Sequence, residues 1–379
     1  MTRRLVAIGF ARPATGLQRV MARLLGELAA DFEVHWLGLG HRGPAIRGEG
    51  FTLHPTNLEG GDVFAVESGR ELADALGADV VLLYNDWWLL AKYRRAFDRR
   101  GGRRPRVVAY CPLDGRITTG EVADAVAWAD DVVAFTEFAR DELDRAGVPR
   151  VHVIGHGVDA DHFAPTDRAA TRAAALPGIP ADAFVLLNAN RLQPRKRIDL
   201  TVEAFAALAA GRPDAHLVLH HALEGVSGEE ELEDQLGALD ADVAARVHRS
   251  RDELSGVELN VLYNACDVGV NTSTGEGWGL VSFEHALTGA AQVVPGHSAC
   301  AELWAGAAEV VEPVTASVPA YARLELQEVH AADVAAALAR LHDDPAHRRS
   351  IAAAGRDRAR EPRFSWAEVG RRWRSLLLA

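Results

Sequence analysis

Short apolar runs alternate with amphipathic stretches along most of the chain, and this alternation restricts the fold more than any other feature. In the first half, apolar runs fall at 5–10, 33–39, 79–84, 106–110, 131–135 and 151–154, with a shorter one near 51–54. Between them lie segments with apolar residues three and four apart, the first carrying Leu17, Val20, Met21, Leu24, Leu25 and Leu28. Strands and helices alternating at this spacing build a parallel sheet, because a parallel pair needs a long crossover and the crossover helix covers the sheet face. The pattern resumes with runs at 184–190, 215–221, 267–271 and 292–295. A chain of 379 residues exceeds what one hydrophobic core usually supports. The expected class is therefore α/β, with two doubly wound Rossmann-like domains over 1–165 and 166–362. The stretch 165–182, rich in Ala, Arg, Thr and Pro, reads as an interdomain linker with a short helix. A last helix within 363–379 places Trp366, Val369, Trp373 and Leu376 on one face.

The chain is 48% apolar and 25% charged, the balance of a globular protein. Met1-Thr-Arg-Arg passes straight into the strand-like Leu5–Gly9, and no run approaches the roughly 20 apolar residues of a membrane span, so the expected location is the cytoplasm. Cys111, Cys266 and Cys300 are odd in number and lack metal-ligand spacing, which suits small buried residues. A formal charge of −12 disfavours nucleic acid as a partner but says nothing against a nucleotide. Of 41 basic residues only Lys92 and Lys196 are lysine. A chain that writes positive charge as arginine almost everywhere draws attention to both.

The stretch Asn271-Thr-Ser-Thr-Gly-Glu-Gly-Trp-Gly-Leu-Val-Ser-Phe-Glu284 follows a strand-like run and leads into a helix start. A strand, a glycine-rich turn and a helix N-terminus together suit a phosphate, since free N–H groups and the helix dipole both favour an anion. Glu276 and Glu284 bracket the turn. A carboxylate beside a phosphate is repulsive, so both suit hydrogen bonds from sugar or ribose hydroxyls, or alternatively a plain turn residue and a surface helix charge. Arg191 and Lys196 follow the first strand of the second half. Two cations there repel unless an anion such as a diphosphate lies between them, or else they are separately solvated.

Glu276 to Glu284, with Gly277-Trp278-Gly279-Leu280 between, resembles the E-x7-E element of the retaining GT-B glycosyltransferases, most like family 4. The resemblance implies a GT-B fold in which the two Rossmann-like domains face each other across a cleft, with a nucleotide-sugar donor mainly on the second and a hydroxyl acceptor on the first. Arg191 and Lys196 match the family's Arg-x4-Lys pair that holds the donor's diphosphate, together with the backbone at Gly277–Leu280. Glu276 then takes sugar hydroxyls and Glu284 the ribose. The implied catalytic set is Asp114, Glu276, Arg191 and Lys196.

Asp114 ends Tyr110-Cys-Pro-Leu-Asp114, where many such enzymes carry a histidine. It suits a sugar hydroxyl or the acceptor nucleophile, and equally a plain turn. Gly16 is a phosphate contact by the resemblance, although the family often carries two adjacent glycines where this chain has Thr15-Gly16. Asn85 and Asp86 resemble an acceptor-side element. His156 departs from the family's asparagine-containing turn, and the terminal helix is expected to cross back onto the first domain.

The Asp-x-Asp triplets at Asp159–Asp161 and Asp240–Asp242 are of a kind that arises by chance in acidic chains, and the two cations already suit a leaving diphosphate, so no metal and no cofactor is expected. Trp87-Trp88 and the arginine-rich run 94–106 suit an anionic acceptor, a peripheral membrane contact or a solvated face. Acceptors range from glycans and lipid-linked sugars to small metabolites. A sugar-nucleotide epimerase or phosphorylase on the same fold, or a non-catalytic nucleotide-sugar binder, remain as alternatives.

Overall fold

The computed structural model describes residues 2–12, 15–48, 50–56, 59–98, 104–221, 228–320 and 322–379. The chain divides into two compact units. The first comprises Met1–Gly157, Val318–Glu325 and Pro362–Ala379, and the second Val158–Ser317 and Leu326–Glu361.

The first unit holds β1 (Arg3–Phe10), β2 (Phe32–Leu39), β3 (Ile46–Arg47), β4 (Thr52–Pro55), β5 (Val80–Tyr84), β6 (Arg106–Cys111), β7 (Arg116–Ile117), β8 (Asp131–Ala134) and β9 (Val151–Val153). Eight of these form one sheet in the order β3-β4-β2-β1-β5-β6-β8-β9, parallel except for the antiparallel β3–β4 pair. The central strands are buried on both faces, as their near-continuous apolar sequences require. Chain order runs outward from β1 through β2 to β4 on one side, with β3 folded back outside β4, and from β5 on the other. The carboxyl ends of β1 and β5 therefore flank the switch point where open α/β sheets bind ligands. Asn85 closes β5 there, donating from Nδ2 to Ile8 O at 3.1 Å.

An aromatic cluster lies under the carboxyl ends of β5 and β6. Tyr110 Oη donates to Gly155 O at 3.2 Å and sits 2.6 Å from His156 Nδ1, while Tyr84 Oη is 3.4 Å from His156 Nε2. Burial pushes the His156 pKa down to about 3. The terminal helix Trp366–Leu378 packs within the same unit, its Trp373 edge-on to Tyr110 at 4.9 Å. Its approach to the first helix is close enough that a Cβ on Gly370 would lie 2.6 Å from Glu27 Cβ. Leu377 is buried and Leu376 only half-buried, so the inward face ends one residue later than the spacing suggests.

The second unit's sheet contains β10 (Phe184–Asn188), β11 (Ala215–His220), β12 (Val247–Ser250), β13 (Val268–Val270), β14 (Ala291–Pro295) and β15 (Glu309–Val311) in the order β12-β11-β10-β13-β14-β15, all parallel. Here the switch point lies between β10 and β13. The antiparallel β16 (Pro313–Ser317) and β17 (Leu324–Val329) follow; the first two residues of β17, Leu324 and Glu325, belong to the first unit and pair there with β7. Periodicity misses β12, because Val-His-Arg-Ser has no apolar run.

The stretch expected to be a linker belongs to the second unit's packing. Its helix Arg168–Ala175 buries Arg172, whose guanidinium donates to Ala265 O at 2.8 Å, Ala181 O at 2.9 Å and Ala183 O at 2.6 Å, and to Asp267 at 2.7 Å. The chain passes between units at Gly157–Val158 rather than at 165.

Several histidines are neutral in the folded state because burial opposes their charge. His156 and His285 are lowered to about 3, and His216 and His220 to about 4, from an ordinary 6.5. The unfolded chain takes up protons below pH ~6.5 that the folded chain refuses. The stability these groups contribute is therefore complete above that pH and is lost as pH falls toward 4. Melting temperature is predicted to drop steadily from pH 7 to pH 4.5, as read by scanning calorimetry. An unchanged melting temperature over that range would contradict the assignment of neutral buried imidazoles.

Candidate functional site

Two loops leave the switch point of the second unit. One follows β10 and runs through Arg191 to the short 3-10 turn Pro194–Lys196, where proline at the first position presets the backbone. The other follows β13 and forms the turn from Asn271 to Gly279. Thr274 N donates to Arg195 O at 2.8 Å, which stitches the loops together and brings their side chains into contact. Lys196 Nζ donates to Glu276 Oε2. Arg195 Nη1 donates to Gly275 O at 2.7 Å and lies 3.4 Å from the same carboxylate oxygen. Lys196 is 5% exposed and Glu276 7%, so this is a buried ion pair. Burial alone raises a carboxyl, but the charges of Lys196 and Arg195 outweigh it and hold Glu276 below its ordinary value.

The turn is set by one glycine. Gly279 has φ +89°, a left-handed conformation that side chains disfavour. Gly275 and Gly277 do not adopt it, so the three glycines do not share one backbone reason. Gly279 caps the helix Leu280–Leu287 without a side-chain hydrogen bond; its carbonyl accepts the Ser282 N–H at 3.1 Å, and a helix N-terminus of this kind suits an anion. Trp278 contributes packing: it is buried, with its ring stacked on Phe283 at 5.3 Å. Glu284, one turn into the helix and 3% exposed, accepts from Tyr263 Oη at 3.1 Å.

A relay behind the turn has only one proton arrangement. His297 Nε2 is 2.9 Å from Ser273 O, and a carbonyl can only accept, so Nε2 carries the proton. Burial lowers His297 to about 4. The neutral ring therefore accepts at Nδ1 from Ser298 Oγ at 3.0 Å, and Ser298 Oγ in turn accepts Glu276 N–H at 3.2 Å. Glu276 is thus held by its backbone as well as its side chain.

Of the residues singled out by sequence, Lys196 and Glu276 are in direct contact. Arg191 is half-buried on the same loop as Lys196. Gly277, Trp278, Gly279 and Leu280 form the turn and helix start, with Glu284 following. Gly16 and Asp114 belong to the first unit. Gly16 opens the helix Gly16–Leu28 behind the N-cap Thr15, which accepts from Gln18 N at 3.2 Å. Asp114 follows β6. After burial, the charges of Asp86 and Asp114 push the Cys111 thiol well above its ordinary range, so both carboxylates lie near the end of β6.

Sequence reasoning missed Arg195, whose signal was its place beside the rare lysine, and also Tyr263, His297 and Ser298. Among the described residues no group of three or more His, Cys, Asp or Glu side chains is arranged to hold a metal ion. Asp159 accepts from His162 N at 3.2 Å, and Asp240 stands at the N-cap position of the short helix Ala241–Ala244 without a side-chain capping bond.

The arginine-rich run divides. Arg104 and Arg106 pair with Asp130 at 2.7 Å and Asp131 at 2.8 Å, while 99–103 lie outside the described residues. Trp88 is 42% exposed, and Lys92 Nζ lies 5.9 Å from the Phe64 ring centroid. Among the described residues no helix is long and apolar enough to cross a membrane.

Removing one partner of a buried ion pair leaves an uncompensated charge and costs about 3–5 kcal/mol, whereas removing both costs far less. Because Arg195 still faces the Glu276 carboxylate at 3.4 Å, Lys196→Met is predicted to lower unfolding free energy by up to about that much, with most of it regained in Lys196→Met/Glu276→Gln. Urea unfolding of the three proteins checks this. A double variant no more stable than the single one would contradict it.

Comparison with known proteins gives the family and the fold. A family model described as "Family 4 Glycosyltransferase in conflict systems" matches residues 122–372, and one described as "Glycosyltransferase Family 4" matches 14–162. Among curated relatives, the D-inositol 3-phosphate glycosyltransferase of Saccharomonospora viridis is 35% identical over 170 residues, which is 43% of this chain and 39% of that protein. That of Stackebrandtia nassauensis is 32% identical over 237 residues, 60% of this chain and 48% of the relative. The match thus spans less than half the length of either. Sucrose-phosphate synthase from Thermosynechococcus elongatus superposes with a TM-score of 0.80 at 17% identity, covering 99% of this chain and 98% of that one. Anabaena Alr3699/HepE in complex with UDP-glucose gives 0.75 at 18% identity over 100% of each chain. These likenesses identify the fold as GT-B. With two thirds of its length matched by one family model, the chain belongs to the family 4 glycosyltransferases.

Proposed function

We propose that the chain transfers a sugar from a nucleoside-diphosphate sugar to a hydroxyl acceptor, with retention of anomeric configuration and without a metal ion. The observation that carries this reading is the buried Lys196–Glu276 pair, with Arg195 beside it, next to the helix start at Gly279. A leaving diphosphate carries negative charge that must be neutralised as the glycosidic bond breaks. Arg191 and Lys196 supply fixed positive charge, and the N–H groups of the turn and helix start at Gly277–Leu280 supply oriented dipoles. This set is the basis for assigning no role to magnesium.

On donor binding, Lys196 is shared between Glu276 and the phosphate, which frees Glu276 oxygens for the hydroxyls of the transferred sugar. Glu284, positioned by Tyr263, takes the ribose hydroxyls. In the proposed step the bond from the anomeric carbon to the phosphate oxygen breaks, its electron pair going to the phosphate. The acceptor oxygen bonds to the same face of that carbon, and its proton passes to the departing phosphate. Asp114 of the first unit is assigned to a hydroxyl of donor or acceptor. The UDP-glucose of the Anabaena structure makes a uridine diphosphate sugar the first donor to test. The name shared by the curated relatives makes a polyol the first acceptor.

A ligand that binds only the folded state raises stability by mass action, about 2.7 kcal/mol at a hundredfold excess over its dissociation constant. In a thermal-shift panel of UDP-, GDP-, ADP- and TDP-sugars, one nucleotide class is expected to stabilise the wild type equally with and without magnesium. Lys196→Ala and Glu284→Ala are expected to lose the shift. A shift that requires magnesium, or one that survives Lys196→Ala, would overturn the diphosphate assignment.

A further inference from the structure

Beneath the site runs a series of buried polar side chains to which no role has yet been given. Asn188 Oδ1 accepts from Asn190 N at 3.0 Å and from Asn190 Nδ2 at 3.1 Å. Asn188 Nδ2 donates to Thr201 Oγ1 at 2.8 Å, the hydroxyls of Thr201 and Thr272 are 2.8 Å apart, and Thr272 Oγ1 donates to Arg197 O at 2.7 Å. Asn188 and Thr272 are fully buried and Thr201 is 1% exposed. The proton order is fixed. A carbonyl only accepts, so the Thr272 proton points to the backbone carbonyls of Arg197, at 2.7 Å, and Lys196, at 3.2 Å. The Thr201 proton must then point to Thr272, and Thr201 receives the amide proton of Asn188. Every hydroxyl is satisfied in one direction only, and such a network rigidifies what it joins.

Its two ends explain its use. At one end is Asn190, next to Arg191, with its carbonyl also accepting from His221 Nδ1 at 2.8 Å. At the other is Arg197, next to Lys196. Arg197 has φ +46°, a left-handed backbone at a residue that is not glycine and that persists only where the surroundings impose it. Thr272 holds its carbonyl, while Asp199, at 2.7 Å, and Glu328 hold its guanidinium. Thr272 itself lies in the loop that carries Glu276.

We infer that Thr272, Thr201 and Asn188 are positioning residues that clamp Arg197 in its left-handed conformation and so fix Lys196 relative to Arg191. This inference rests on the reading of these cations as the diphosphate site. A valine at either threonine would fill the same space, so the hydroxyls serve the directed relay rather than core volume.

The chain has only two lysines, so protein labelled with 13Cε-lysine gives two side-chain resonances, and Lys92→Arg assigns them. The variants are Thr272→Val, Thr272→Ser and Thr272→Val/Arg197→Gly, the last placing at 197 a residue that adopts φ > 0 without a clamp. Thr272→Val is expected to shift or broaden the Lys196 resonance and to weaken binding of uridine diphosphate about tenfold, the scale of one buried hydrogen bond left unmade. Thr272→Ser keeps the hydroxyl and is expected to behave as wild type, and the double variant to recover both readouts. A folded Thr272→Val with an unchanged Lys196 resonance would overturn the clamp, as would a double variant that recovers neither readout.

If wild type does not bind uridine diphosphate, the resonance alone decides. A shift in Thr272→Val that Arg197→Gly reverses keeps the clamp while the donor reading fails, and no shift removes the clamp. Should Thr272→Val not fold, Thr201→Val, which breaks the relay one step earlier, is read by the same criteria.

Discussion

The second unit depends on an ion pair that water would not leave intact at so little cost. Lys196 and Glu276 are both nearly removed from solvent, and taking two charges out of water costs several kcal/mol per ion before their attraction returns any of it. The structure offsets that cost with a second cation at Arg195, a serine and histidine relay at the Glu276 backbone, and loop-to-loop hydrogen bonds. A core built for stability alone would place apolar side chains here. A buried lysine held beside a helix N-terminus, at the switch point of a parallel sheet, is better explained as a charge kept ready for an anion.

The same economy appears in the backbone. Among the described residues five non-glycine positions have positive φ, and two of them touch the buried pair: Arg197 follows Lys196 in sequence, and Ser298 accepts the Glu276 N–H. Strain of this kind persists where neighbouring contacts over-determine it. Here those contacts are the Thr272 hydroxyl at Arg197 O and the bonds from Glu276 N and to His297 at Ser298 Oγ. The loops therefore hold their shape before any ligand arrives, which reduces the ordering that binding would otherwise require.

Much of this was legible in the sequence, for a physical reason. Parallel strands buried on both faces must be apolar throughout, so β1, β5, β10 and β14 declare themselves, and the helices between them show the 3.6-residue period. The scarcity of lysine pointed to Lys196 before any geometry was known. What stayed hidden is what periodicity does not encode. The edge strand β12 is polar and looks like a loop. Thr201 and Thr272 read as core positions, because threonine on an apolar face is silent about where its proton points. Arg197 gave no sign of its left-handed backbone, and of the three glycines around Glu276 only Gly279 needed one. Arg195 looked like one arginine among many. The stretch at 165–182 looked like a linker because its helix buries an arginine, Arg172, rather than an apolar face.

The most direct measurement is a crystal structure of the chain grown with uridine diphosphate. The account predicts the terminal phosphate within hydrogen-bonding distance of Lys196 Nζ and of N–H groups between Gly277 and Leu280, with Glu284 on the ribose. A nucleotide seated elsewhere in the second unit, with Lys196 still bonded to Glu276 and the helix start empty, would contradict it.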